Sequence, residues 1–103
     1  MISNYEVVIS DEAQKDIDCL FEYICNALTA EKAAKRIVQQ ISRSILGLSS
    51  FPQKGVETRI KAYDGSNYRK LIVDKYIVFY LVYDEMKTVK IVRVIDGRTN
   101  YNM

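Results

Sequence analysis

The run from Tyr76 to Tyr83 is apolar or aromatic at all eight positions, and no other stretch restricts the possible folds of this chain so strongly. Valine, isoleucine, tyrosine and phenylalanine favour extended backbone, and a strand with no polar alternation has no face to offer to water. This run is therefore expected at the centre of a sheet, covered on both faces. Asp74-Lys75 before it allows a tight reversal, and Asp84 to Thr88 turns the chain after it. Tyr68 to Val73 reads as the preceding strand and Val89 to Ile95 as the last one. A further strand is expected over Thr58 to Tyr63, set off by the turn formers Asp64-Gly65-Ser66-Asn67 and preceded by a turn at Lys54-Gly55.

The other half of the chain changes period. After a short β-prone run, Tyr5 to Ile9, Ser10 offers a hydroxyl to cap a free backbone N–H, and Asp11 and Glu12 suit the first turn of a helix. Ala13, Ile17, Leu20, Phe21, Ile24 and Leu28 then recur at three- and four-residue intervals, the signature of one apolar helical face. Thr29 can cap a second helix, in which Ala34, Ile37, Val38, Ile41, Ile45 and Leu48 form the stripe. That helix is expected to end near Gly47, because Pro52 and the residue before it oppose continuation. One strand, two helices and a strand meander make a two-layer α+β domain: an N-terminal strand and a helical hairpin on one face of a twisted, mainly antiparallel sheet. Phe79, Leu81, Leu71 and Ile91 are expected to complete the core under the helices.

A chain of 103 residues is one domain, 1–103, able to bury a core without staples. Its formal charge of +2 hides an asymmetry. Residues 1–31 hold seven acids and one base, a net of −6, whereas the remainder holds fourteen bases and six acids, a net of +8. The basic remainder suits an anionic partner or a solvated surface. Cys19 and Cys25 lie six residues apart in one expected helix. That spacing separates their backbones by about 9 Å, too far for a disulfide. Buried free thiols, no signal-peptide pattern and no apolar stretch of membrane-spanning length lead to an expectation of a cytoplasmic protein without membrane contact.

Absent residues narrow the chemistry. Without histidine, any acid or base must be Asp, Glu, Lys, Tyr or Cys, and a serine triad or zinc hydrolase has no support. No G-x-x-x-x-G-K-[ST] or G-x-G-x-x-G is present, and neither a cofactor nor a metal is expected. What remains is a cationic set, Arg59, Lys61, Arg69, Lys70, Lys90, Arg93 and Arg98, interleaved with Tyr63, Tyr68, Tyr76 and Tyr101. Arginine's planar fork takes phosphate oxygens in pairs, and tyrosine stacks on bases or donates its proton. The same residues on exposed strands also serve solubility and edge protection. Arg93 stands apart, because it is embedded in Ile91-Val92-Arg93-Val94-Ile95, where an unpaired charge would be costly. Either an acid such as Asp74 or Asp96 pairs with it, or it faces a functional groove.

These residues carry a resemblance. Ser10-x-x-Ala13-x-x-Asp16-Ile17-x-x-Leu20-x-x-Tyr23-Ile24, Leu48-x-x-Phe51-Pro52-x-x-Gly55, Tyr68-Arg69-x-Leu71-x-Val73, Tyr76-x-Val78-Phe79-Tyr80 and Ile91-x-Arg93-Val94-x-x-x-Arg98-x-x-Tyr101 follow one another as in the RelE/ParE superfamily of bacterial toxins. The chain resembles that superfamily over nearly its whole length.

The resemblance implies a small toxin, neutralised by a cognate antitoxin whose disordered segment folds on it, with a toxin–antitoxin heterotetramer among the assemblies it allows. RelE-like members cleave messenger RNA on the ribosome with a basic cluster and no metal; ParE-like members poison DNA gyrase. In the ribonuclease case, the resemblance makes Arg69, Arg93 and Arg98 the phosphate-binding groups and Tyr101, or a lysine with a lowered pKa, the proton carrier. The Tyr-Arg that typically opens the central strand of RelE-like enzymes is Tyr76-Ile77 here, and a histidine common in ParE-like sequences is Asp96. The Tyr-x-Val-Phe-Tyr strand and the Arg-Val-x-x-x-Arg ending lean towards ParE-like members. Arg59, Lys61, Lys70, Arg93 and Arg98 are then expected to contact target or antitoxin. A third expectation is a non-toxic module that keeps only the grip on an antitoxin.

Overall fold

The computed structural model describes residues 4–27 and 30–98. The elements follow in the order β1 (Glu6–Ile9), α1 (Asp11–Glu22), a π-helical turn (Tyr23–Ala27), α2 (Glu31–Gly47), β2 (Val56–Lys61), β3 (Asn67–Val73), β4 (Tyr76–Tyr83) and β5 (Thr88–Asp96). The sheet order is β1-β5-β4-β3-β2, so the apolar run forms the middle strand, as expected. Strands β2 to β5 are an antiparallel meander, and β1 joins the far edge parallel to β5.

Ser10 performs the capping expected of it, its hydroxyl accepting from the Ala13 backbone N–H at 3.1 Å. Beyond Glu22 the backbone loosens to a π-helical turn rather than continuing as α-helix. Leu28 and Thr29, expected to end the first stripe and cap the second helix, lie outside the described residues. The N-cap position of α2 is Ala30, with no side-chain bond. The first hairpin strand begins at Val56 and ends at Lys61, two residues earlier than its pattern suggests. The reason lies upstream, where the turn falls on Pro52-Gln53 rather than on Lys54-Gly55. Asp74 and Lys87 close the two later reversals with φ of 57° and 50°; a short polar side chain such as Asp74's tolerates that left-handed backbone better than a β-branched one does.

The core joins Ala13, Ile17, Ile41, Ile45 and Leu48 of the helical side to Leu71, Val73, Tyr76, Val78, Tyr80, Val89, Ile91 and Val94 of the sheet. Phe79 and Leu81 do not belong to that cluster, which corrects the expectation that they pack under the helices. Side chains alternate along a strand, so Tyr76, Val78 and Tyr80 face the helices, and Ile77, Phe79 and Leu81 take the other face. They are nonetheless buried there, with Phe79 fully so. Burying six apolar or aromatic side chains, Tyr76 to Leu81, at about 2 kcal/mol each makes β4 the main hydrophobic contributor of the sheet.

Tyr80 ties the β2 approach to the core. Its hydroxyl accepts from the Gly55 backbone N–H and donates to the Pro52 carbonyl, both at 2.8 Å and both buried. A Cβ at position 55 would stand 2.6 Å from that hydroxyl and 2.7 Å from the Lys70 carbonyl, so only glycine fits. Both cysteines are free, but Cys19 is exposed and Cys25 half-buried, not buried as expected. Of the α1 stripe, Ala13 and Ile17 join the core cluster and Leu20 packs against it partly buried. Among the described residues no helix is long and apolar enough to cross a membrane.

Candidate functional site

Strand β5 outruns its neighbour. Strand β1 ends at Ile9, opposite Ile91, and the chain then swings into α1. Ser10 closes this junction, its backbone N–H donating to the Ile91 carbonyl at 2.9 Å and its hydroxyl to the Val92 carbonyl at 3.0 Å. The register against β4 slips at this point, since Phe79 pairs with Arg93 and Tyr80 with Ile91, leaving Val92 as an extra residue. Such a bulge bends a strand and re-aims the next side chain.

The side chain re-aimed is Arg93, and its partner is Asp16. Arg93 Nε donates to Asp16 Oδ2 at 2.7 Å and Nη2 to Oδ1 at 3.0 Å, a bidentate fork. The same Oδ2 accepts from the Val94 backbone N–H at 2.9 Å. Asp16 thus stands where a longer β1 would have supplied a carbonyl, sealing the strand edge and holding the charge beside it. Neither Asp74 nor Asp96, the acids expected, pairs with Arg93. The pair sits at the surface, with the arginine side chain 44% exposed and the aspartate 17%.

Arg98 is also engaged. Its Nη2 reaches Asp96 Oδ2 at 2.8 Å and its Nε reaches Oδ1 at 3.1 Å, while its backbone N–H donates to Oδ1 at 2.9 Å. This guanidinium holds the Asp96 carboxyl down to about 2. The acid that replaces the histidine common in ParE-like sequences is therefore what occupies Arg98. Arg69 donates to the Gly55 carbonyl at 2.8 Å and lies 3.9 Å from Glu57.

The remaining expected cations are spread out. Lys70 and Arg93 flank Phe79 in one cross-strand row, Val56–Lys70–Phe79–Arg93. Arg59 and Lys61 are exposed on the edge strand β2, three strand spacings or about 14 Å from β5. Among the described residues Arg59, Lys61 and Lys70 form no ion pair. Tyr101, the expected proton carrier, lies outside the described residues. Ile77, at the position where RelE-like enzymes carry an arginine, is buried among apolar neighbours. Burial pushes the hydroxyls of Tyr76 and Tyr80 above the usual tyrosine range, which makes them weaker acids and keeps them protonated at neutral pH.

A cleft of about 570 Å³ opens beside the Arg98 end of β5, between α1, the start of α2 and the β3–β4 reversal. Leu20, Ile24, Ile37 and Tyr76 supply its apolar lining, and Tyr23, Lys75 and Arg98 stand among its polar residues. Sequence reasoning did not find this cleft or the role of Asp16. Asp16 carried one signal, its place six residues after Ser10 within the superfamily-like pattern. Its partner depends on how α1 crosses β5, which no local pattern states.

Residues 7–101 match the family described as the ParE toxin of type II toxin-antitoxin system, parDE. Among solved structures, the chain is similar to one from the chromosomal ParDE system of P. aeruginosa, with a TM-score of 0.73, 17% identity and coverage of 91% of this chain and 97% of that one. It is also similar to a chain of the RelBE2 toxin–antitoxin complex of Mycobacterium tuberculosis, with a TM-score of 0.67, 22% identity and coverage of 93% and 94%. A chain of the archaeal RelE–RelB complex from Pyrococcus horikoshii gives a TM-score of 0.66 at 16% identity, covering 94% of this chain and 99% of that one. No curated protein sequence matches. With this fold, the paired arginines at the end of β5 and a family match across nearly its full length, the chain belongs to the ParE toxins of type II toxin–antitoxin systems, within the RelE/ParE superfamily.

Proposed function

We propose that this toxin acts in the cytoplasm as a ParE-like poison of DNA gyrase and is silenced by a cognate antitoxin. The observation that carries this reading is the engagement of all three arginines a ribonuclease of this superfamily would turn on phosphate. Arg93 is bound to Asp16, Arg98 to Asp96, and Arg69 to the Gly55 carbonyl near Glu57. A scissile phosphate would have to displace carboxylates of the chain itself, with Ile77 offering no cation in compensation. Loss of one charge-stabilising donor typically costs about 3 kcal/mol of barrier. A surface that grips a protein needs no free guanidinium fork, because neutral contacts and ion-pair rims serve it. In this reading Arg98, exposed at the rim of the cleft, contacts the target, and Arg93 closes the edge of β5. The solved relatives that are toxin–antitoxin complexes support the antitoxin as partner.

The same ion pairs favour a second reading, a module that keeps the fold and its hold on an antitoxin without toxicity. Three measurements separate the readings. Induction without antitoxin arrests growth for a toxin and leaves growth unchanged for the bare module. Purified protein inhibits gyrase supercoiling if it is the poison, and Arg98→Ala weakens that inhibition. Transcript mapping on programmed ribosomes shows no cuts; ribosome-dependent cleavage with intact gyrase activity would overturn the proposal.

A further inference from the structure

The charges around the cleft at the end of β5 are almost all spoken for. Asp16 is taken by Arg93 and Asp96 by Arg98. Lys75 is left with the π-face of Tyr76, its ammonium 5.9 Å from the ring centroid, and with no carboxylate in ion-pair range among the described residues. The lining beneath is apolar, and the volume of about 570 Å³ falls within the range of built binding sites. An occupant that fits must bring apolar side chains for the lining and one negative charge for Lys75. Few inward polar groups are free to orient a small molecule, because Asp16 and Asp96 are each already bonded to an arginine. A folded partner that delivers its own orientation suits this cleft better.

From this geometry we infer that the cleft receives a segment of the toxin's target carrying one or two large apolar side chains next to a carboxylate, with the carboxylate on Lys75. The inference rests on the gyrase reading, and deepens it, because the rim of the cleft is continuous with Arg98, the residue that reading assigns to the target. It makes the target contact a matter of apolar anchoring steered by a single charge, rather than of phosphate binding.

Two substitutions test it. Ala33→Trp fills the cleft from the half-exposed face of α2, and Lys75→Glu reverses the charge; neither residue belongs to the core cluster. Supercoiling inhibition is measured on purified gyrase, circular dichroism melts report that each variant is folded, and affinity for the cognate antitoxin, by calorimetry, reports whether the antitoxin uses the cleft. Both variants are expected to raise the half-inhibitory concentration by about tenfold or more, the effect of losing a desolvated anchor or reversing a facing charge. Lys75→Arg and Lys90→Glu, the latter on the far face of the sheet, are expected to stay within about twofold of the parent. Antitoxin affinity is expected to hold within about threefold for all four. Unchanged inhibition by Ala33→Trp and Lys75→Glu overturns the inference while the gyrase reading stands. A parallel loss of antitoxin affinity also overturns it, assigning the cleft to the antitoxin. A parent protein without effect on gyrase removes both together.

Discussion

Replacing Asp16 should unseal the strand edge that it closes. The carboxylate holds three bonds at once: two from the Arg93 guanidinium at 2.7 and 3.0 Å and one from the Val94 backbone N–H at 2.9 Å. Charge-assisted hydrogen bonds contribute about 1.5–3 kcal/mol when sheltered, but a guanidinium nearly half exposed to water is screened, so about 1 kcal/mol is assigned to the fork. The part-buried Val94 N–H loses its acceptor as well, at a cost of about 1–2 kcal/mol. Asp16→Ala is therefore expected to cost about 2–3 kcal/mol, lowering Tm by about 10 °C in a chain of this size. Asp16→Asn keeps one acceptor for Val94 but loses the charge and the acceptor facing Arg93 Nη2, so about 1 kcal/mol is expected, and Arg93→Ala should match it. Urea unfolding of the two single alanine variants and the double one gives the coupling, expected at about 1 kcal/mol. A coupling indistinguishable from zero, or Asp16→Asn as damaging as Asp16→Ala, would refute the assignment of Asp16 as both edge seal and charge partner.

Asp96 ties stability to acid. Its folded carboxyl lies at about 2, held down first by the Arg98 side chain and then by the Arg98 backbone N–H, below the unfolded value near 3.8. Its contribution is therefore complete above about pH 4 and lost as pH falls towards 2; the Tm gap between the parent and Asp96→Asn should be constant from pH 5 to 8 and close over that acid range. Tyr80→Phe orphans the buried Gly55 N–H and Pro52 carbonyl and should lower the urea midpoint by the equivalent of about 2 kcal/mol with an unchanged slope. Because burial raises the Tyr80 hydroxyl, its contribution is present below the ordinary tyrosine value and fades as pH climbs past it. Thermal melts above about pH 10 should therefore show a steeper loss for the parent than for Tyr80→Phe. Gly55→Ala drives a methyl into the Tyr80 hydroxyl and the Lys70 carbonyl and should cost about 3 kcal/mol or more, read as a loss of soluble folded protein.

Much of the fold is local enough to read along the chain. The eight-residue apolar run lay where its pattern requires, in the middle of the sheet, because no edge position could hide both its faces. Ser10 capped its helix because capping involves only the next three residues. The start of β2 was misplaced because its boundary is set by Tyr80, twenty-five residues away, which pins Gly55 and pulls the strand start forward. Which parity of β4 meets the helices is not legible in the sequence, because a fully apolar strand carries no polar residue to mark it, and Phe79 and Leu81 take the face opposite the one expected.

The site divides in the same way. That Arg93 needed a partner could be read from the apolar residues around it, since a bare charge among them is costly wherever they fold. Which acid answers it could not be read. Asp16 lies seventy-seven residues away and meets Arg93 only because β1 stops at Ile9 and α1 then crosses the uncovered end of β5. Composition and periodicity alone determined a two-layer α+β domain with a cationic C-terminal half, because burial and backbone preference act over a few neighbouring residues. Only the tertiary structure decided which of those cations remain free, because Coulomb attraction depends on distance in space, and strand order and helix crossing set that distance.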